Sequence, residues 1–165
     1  MKNTSKDITY NALICALYVA VTLVAAPISF LGIQFRISEI LVLLCFFNKK
    51  YIVGLTLGTA IANFGSPIGI VDAGFGTLAT LIACLGIIFM KQLAIAILFP
   101  VIANGFIIGF ELFYFLNEPF WLSVIQVAVG EALVMIVGYF IFFLLKKRKD
   151  FKDIINAEQN IDFKF

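Results

Sequence analysis

Histidine is absent from this 165-residue chain, and charged residues make up only 13% of it. Without His there is no HExxH zinc motif and no imidazole to activate a serine or cysteine. The three cysteines, Cys15, Cys45 and Cys84, lie in apolar segments without CxxC spacing. They read as small buried hydrophobes rather than metal ligands or redox centres. No GxxxxGK[ST] loop occurs, so any use of ATP needs partner proteins. These absences leave no catalytic set, no metal site and no resident cofactor, and no nucleic-acid partner is expected.

What the chain has in abundance is apolar surface: 62% hydrophobic residues, 19 of them Phe, and a mean hydropathy of +1.07. A soluble domain of this length has no core large enough to hide that much. The chain reads as an all-α integral membrane protein, a single transmembrane domain over 1–165. At about 20 residues per crossing there is room for roughly six spans. Six apolar stretches are present, at about 10–27, 33–47, 51–64, 70–90, 92–117 and 120–145. Pro27, Asn48-Lys49-Lys50, Gly65-Ser66-Pro67, Lys91 and Asn117-Glu118-Pro119 punctuate them. Pro100 is expected to kink the fifth stretch, and Pro119 suits the first turn of the sixth. The first run shows no cleavage region and reads as a retained helix. Stretches two and three are short, at about 22 Å of α-helix each.

Basic residues set the expected topology. Lys2 and Lys6 precede the first stretch, Lys49 and Lys50 join the second and third, and Lys91 joins the fourth and fifth. Lys146-Lys147-Arg148-Lys149 follows the sixth. The opposite connections, 28–32, 65–69 and 117–119, contain no Lys or Arg. That alternation predicts six crossings with both termini inside, and a cytoplasmic tail over 146–165 with no evident task.

Against this background five ionisable residues stand inside apolar runs: Arg36, Glu39, Asp72, Glu111 and Glu131. A charge within a membrane is costly and usually marks a ligand or ion pathway. Asn63 and Gln126 fall at similar depth, and the topology places these seven in the outer half of the bundle. Asn104 and Glu111 are seven apart on one helical face, and Arg36 and Glu39 are three apart. Small residues, Gly54-Gly58-Ala62 and Gly76, are expected to make room around them. Phe35, Phe64, Phe75, Tyr114 and Trp121 are candidates to stack a planar ligand. Plainer roles stay open: an Arg36–Glu39 ion pair, Asp72 as a helix N-terminal acid, Trp121 in an interfacial belt. Four carboxylates against one guanidinium favour a ligand rich in N–H donors, positive charge, or both.

Gln34-Phe35-Arg36-Ile37-Ser38-Glu39, Gly58-Thr59-Ala60-Ile61-Ala62-Asn63, and Asp72 with Gly76-Thr77-Leu78-Ala79-Thr80-Leu81 together resemble the queuosine-precursor transporter family called QueT. Glu111 and the Gly130-Glu131 pair are similar too, and the resemblance covers about 8–145. Gly74 stands where the family more often has a bulkier residue. The resemblance implies the substrate-binding (S) component of an energy-coupling-factor (ECF) transporter, a six-helix bundle in the bacterial cell membrane. It implies a 7-deazaguanine ligand (preQ1, preQ0 or queuine) and, as partners, a transmembrane coupling protein and two cytoplasmic ATPases. It also implies docking through small residues four apart on the first helix, here Ala12, Ala16 and Ala20, which let another helix approach closely. An S component for another vitamin, or a self-contained proton-coupled carrier using Glu111 or Glu131, are the rival expectations.

Overall fold

An apolar segment in lipid has to close its backbone hydrogen bonds within itself, which favours helix throughout. The computed structural model describes residues 4–26, 35–145, 148 and 150–160. Within them are seven α-helices: α1 (Thr4–Val24), α2 (Ile52–Asn63), α3 (Ile70–Ile88), α4 (Leu93–Ala96), α5 (Leu98–Leu116), α6 (Phe120–Leu145) and α7 (Phe151–Ile154). A ten-residue 3-10 helix, Ile37–Phe46, and a shorter one, Lys49–Tyr51, lie between α1 and α2. The first, fourth, fifth and sixth stretches are long and apolar enough to cross a membrane, as Thr4–Val24, Ile70–Ile88, Leu93–Leu116 and Phe120–Leu145. Large apolar side chains such as Leu13, Leu57, Phe106 and Phe140 cover the outer surface, as a lipid-facing bundle requires.

The second stretch departs from expectation. It is a 3-10 helix rather than an α-helix, and its rise of about 2.0 Å per residue carries ten residues over roughly 20 Å, against about 15 Å for an α-helix. Residues three apart eclipse in this geometry, so Arg36, just ahead of the helix, and Glu39 fall on one side. The 3-10 helix packs against α1, α3 and α6, while α1–α2, α2–α3, α3–α5 and α5–α6 pack as successive neighbours. The elements thus form a ring that the 3-10 helix closes.

Pro100 interrupts the fifth stretch, as expected of a proline inside an apolar run. The fifth stretch breaks at Ile97 and restarts, with Pro100 in the first turn of α5. A proline ring collides with the carbonyl four residues back, here that of Ala96, the last residue of α4. At the other end of α5, Asn117 takes the left-handed conformation (φ 56°) and donates its N–H to Leu112 O, which stops the helix and turns the chain into Pro119 and α6.

Close helix approach falls on glycines. A Cβ at Gly54 would stand 2.5 Å from Asn11 O, and one at Gly58 would stand 3.0 Å from Tyr18 Cβ. These two glycines therefore bring α1 onto α2, a helix contact, instead of making room around the polar residues. Asn11 Oδ1 accepts the Gly54 N–H at 2.7 Å across that contact.

The tail, which the sequence left without a task, packs back on the bundle. A 3-10 helix leaves the carbonyls of its last turn without i+3 partners, as α-helices do over four residues. Here they belong to Cys45, Phe46 and Phe47. The Glu158 and Gln159 N–H groups both donate to Phe47 O at 2.9 Å. Gln159 Nε2 donates to Cys45 O (3.1 Å) and Phe46 O (3.2 Å), and Asn160 Nδ2 to Phe46 O (2.8 Å) and Met90 O (3.0 Å). Asn48 Nδ2 and Tyr51 Oη donate to Asn156 O and Ile155 O in turn. Lys50 pairs with Asp7 at 3.0 Å and with Glu158, tying α1, the 48–51 connection and the tail together. Those two carboxylates, Glu158 first, raise the Lys50 pKa.

Candidate functional site

At the end of the bundle away from the tail, five elements bring polar side chains together. Arg36 precedes and Glu39 lies in the 3-10 helix, Asn63 closes α2, Asp72 is in the first turn of α3, Asn104 and Glu111 share a face of α5, and Glu131 lies on α6. All seven are buried. Arg36 Nη2 donates to Asn63 Oδ1 at 2.6 Å, and Asn63 Nδ2 donates to Asp72 O at 3.0 Å. Asn63 is thus spent as a brace between the 3-10 helix and α3. A Cβ at residue 76 would run into the Asn63 amide, with Arg36 Nη2 3.5 Å away, so Gly76 does make the room expected of it.

Glu39 is held by residues the sequence reading did not single out. Tyr18 Oη donates to Glu39 Oε1 at 2.5 Å, and Thr80 Oγ1 stands 3.4 Å from the same oxygen. Thr59 supports Thr80 at 3.2 Å, and Thr22 donates to Ser38 Oγ at 2.7 Å. The signal for Tyr18 was in α1: its buried positions are Ile14, Tyr18 and Thr22, four apart, and two of the three can hydrogen-bond. Arg36 Nε lies 4.0 Å from Glu39 Oε1, a loose pair in place of the intimate one a purely structural role would need.

The remaining atoms decide the character of the site. Among the described residues, the buried side-chain atoms without a hydrogen-bond partner are Arg36 Nε, Glu39 Oε2, both amide atoms of Asn104, both oxygens of Glu111, and Glu131 Oε1. Every one belongs to this cluster. Glu111 faces Asp72 with Arg36 farther off, and Glu131 faces Asn104, Glu39 and Arg36, yet these approaches leave the named atoms unpaired. A buried polar atom left unpaired costs about 1–3 kcal/mol, and a charged one more. Such atoms are open to a partner from outside the chain, water or ligand alike.

Other candidates are placed elsewhere. Gln126 is only half-buried and is not drawn into the network. Phe64, Tyr114 and Trp121 are 61%, 65% and 67% exposed and face away from the cluster. Phe75 is partly buried and packs on Phe110 and Phe115; Phe35 is partly buried too and lines an apolar groove of about 360 Å³ with Ile37, Ile40 and Val134. With 19 Phe in the chain, most aromatic rings serve lipid or core contact. Ala12, Ala16 and Ala20 are exposed on α1. Two positions before Ile14, Tyr18 and Thr22, they point about 200° away from the buried face. They line a groove of about 1080 Å³ between α1 and α2, with Leu57 and Ile61 on the α2 side. The polar cluster lines neither groove.

A chain with orphaned acids inside an apolar helical bundle calls for comparison with membrane transporters. The QueT transporter family model matches residues 8–147. The "Queuosine precursor transporter QueT" of Lactococcus lactis subsp. cremoris (strain MG1363) is 37% identical over 167 residues, covering 90% of this chain and 97% of that protein. No solved structure matches. The family match takes in all seven clustered residues, and its description is that of a transporter rather than an enzyme; on that evidence the chain belongs to the QueT transporter family.

Proposed function

We propose that this chain captures a queuosine precursor, a 7-deazaguanine such as preQ1 or preQ0, for uptake across the bacterial cell membrane. The observation that carries this reading is the set of buried polar atoms without partners, five acceptor oxygens, one amide nitrogen and one guanidinium N–H, in a member of the QueT family. A guanine-like edge presents an N–H and an exocyclic amine that a carboxylate accepts together. Bases read through that edge in enzymes are held by the same chemistry.

In this reading the bundle crosses the membrane six times with both termini inside. Support comes from the ends: Asp7, Lys50, Met90 and the tail meet at one end, where the basic connections are expected, and the polar cluster sits at the other. The short elements Ile37–Phe46 and Ile52–Asn63 are the second and third crossings, with the 3-10 rise lengthening one of them. The chain works with an ECF coupling protein and two ATPases, which use the ATP. The exposed Ala12–Ala16–Ala20 face and its groove suit one helix of the coupling protein, since small residues let backbones approach closely.

Uptake of labelled preQ1 into cells lacking their own precursor synthesis tests this. Expected is uptake only when chain and ECF module are present together, and its loss in Ala16→Leu with ligand binding unchanged. Uptake by the chain alone would instead establish a self-contained carrier. Failure of folded protein to bind any deazaguanine would overturn the substrate.

A further inference from the structure

We infer, resting on the reading above, that the site has two seats of different charge and that Glu111 with Asp72 forms the one that selects a cationic ligand. The seven residues divide by what faces what. Glu131 lies with Asn104, Glu39 and Arg36; Glu111 lies against Asp72, with Arg36 farther off. Positive charge is shared unequally between them. Arg36 Nε is 4.0 Å from Glu39, and Tyr18 and Thr80 donate toward the same carboxylate, so the first seat is already largely compensated. Among the described residues no Lys or Arg nitrogen comes within 4.0 Å of Asp72 or Glu111. Two carboxyl groups side by side, buried, with Arg36 acting only from beyond ion-pair distance and both Glu111 oxygens unpaired, form the seat for a compact ammonium group.

The first seat has the opposite character. Asn104 offers a donor and an acceptor, both unused, beside the free Glu131 oxygen and the free Arg36 N–H. That mixture matches the edge of a flat heterocycle, which presents donors and acceptors in alternation. Glu111 and Asn104 are on one face of α5, two turns apart or about 10 Å along the axis, close to the reach of a fused bicyclic ring carrying a one-carbon amine. The ring edge therefore sits on Glu131 and Asn104, and its basic substituent on Glu111 and Asp72.

The two deazaguanines differ at the decisive point: the aminomethyl group of preQ1 is a cation and the nitrile of preQ0 is neutral. Calorimetric titration of the purified full chain with both compounds and with guanine reads the seats separately. Expected is about ten-fold or more tighter binding of preQ1 than of preQ0, the worth of one charge-assisted hydrogen bond. Glu111→Gln and Asp72→Asn should each bring the ratio of preQ1 to preQ0 affinity toward one, read within the same variant. Glu131→Gln should weaken both ligands alike. Equal binding of preQ1 and preQ0 by the unmodified chain would overturn the charged seat, as would a gap surviving both acid replacements. Either result leaves the capture of deazaguanines standing. Absence of binding for both compounds by folded protein would instead sink the substrate reading itself. The ligand pair on the unmodified chain decides the matter even where a variant fails to fold.

Discussion

At the tail end of the bundle Asn48, Tyr51, Gln159 and Asn160 give their polar atoms to backbone carbonyls, and Lys50 has two carboxylates. At the opposite end Arg36, Glu39, Asn104, Glu111 and Glu131 are more deeply buried and leave polar atoms unpaired. Both ends are polar patches in an apolar chain, and composition does not tell them apart. The difference lies in whether the chain supplies the partners. A satisfied network fixes structure; an unsatisfied one carries a cost that a ligand can relieve.

Replacements at the two ends should therefore have opposite signs. The largest effect is expected from Glu131→Gln: binding of a deazaguanine falls by about 100-fold or more, as when one partner of a buried charged hydrogen bond is removed. Without ligand its melting temperature in detergent should hold or rise, because a buried acid with an unpaired oxygen is replaced by a neutral amide. A matching drop in stability without loss of affinity would place Glu131 among structural residues and erase the contrast. Tyr18→Phe comes next. It frees Glu39 Oε1 from its shortest donor and should weaken binding by about ten-fold, or about 1.4 kcal/mol, together with a lower melting temperature. It thus tests whether one residue serves both stability and binding.

Ending the chain after Asn156 removes the caps on Cys45, Phe46 and Phe47. Water replaces part of what is lost at this end, so about 1–3 kcal/mol of stability should go, with affinity unchanged. Altered affinity would show that the 3-10 helix transmits strain to Arg36 and Glu39. The smallest effect is expected for Lys50→Met, an exposed pair site screened by salt. The melting temperature should fall slightly at low salt and not at all at high salt. Because Glu158 and Asp7 raise the Lys50 pKa, this contribution is complete below the ordinary lysine value and fades as pH rises through the raised one.

Much of the molecule was legible in its residues. Bilayer residence, helicity and four of the six stretches as long apolar helices follow from apolar runs, because lipid leaves a backbone few other solutions. So did the membership of the polar cluster: a charge in an apolar run stands out wherever the fold takes it. Seven of the eight expected site residues come together, and Gln126, a neutral amide only half-buried on α6, is the one that does not. The aromatic candidates fared worse because Phe is so common here that its position carries little information.

Other features depended on neighbours distant in sequence. The carbonyls at the end of Ile37–Phe46 are capped by Glu158, Gln159 and Asn160, more than a hundred residues away. Tyr18 became part of the site only when α1, brought onto α2 by Gly54 and Gly58, set its hydroxyl against Glu39. Depth in the membrane is a local property of the chain, so the sequence alone determined which residues are buried at which end. Pairing is a relation between segments, so only the tertiary structure decided that Asn63 is spent on Arg36 and Asp72 while Asn104, Glu111 and Glu131 keep atoms free for something else to bind.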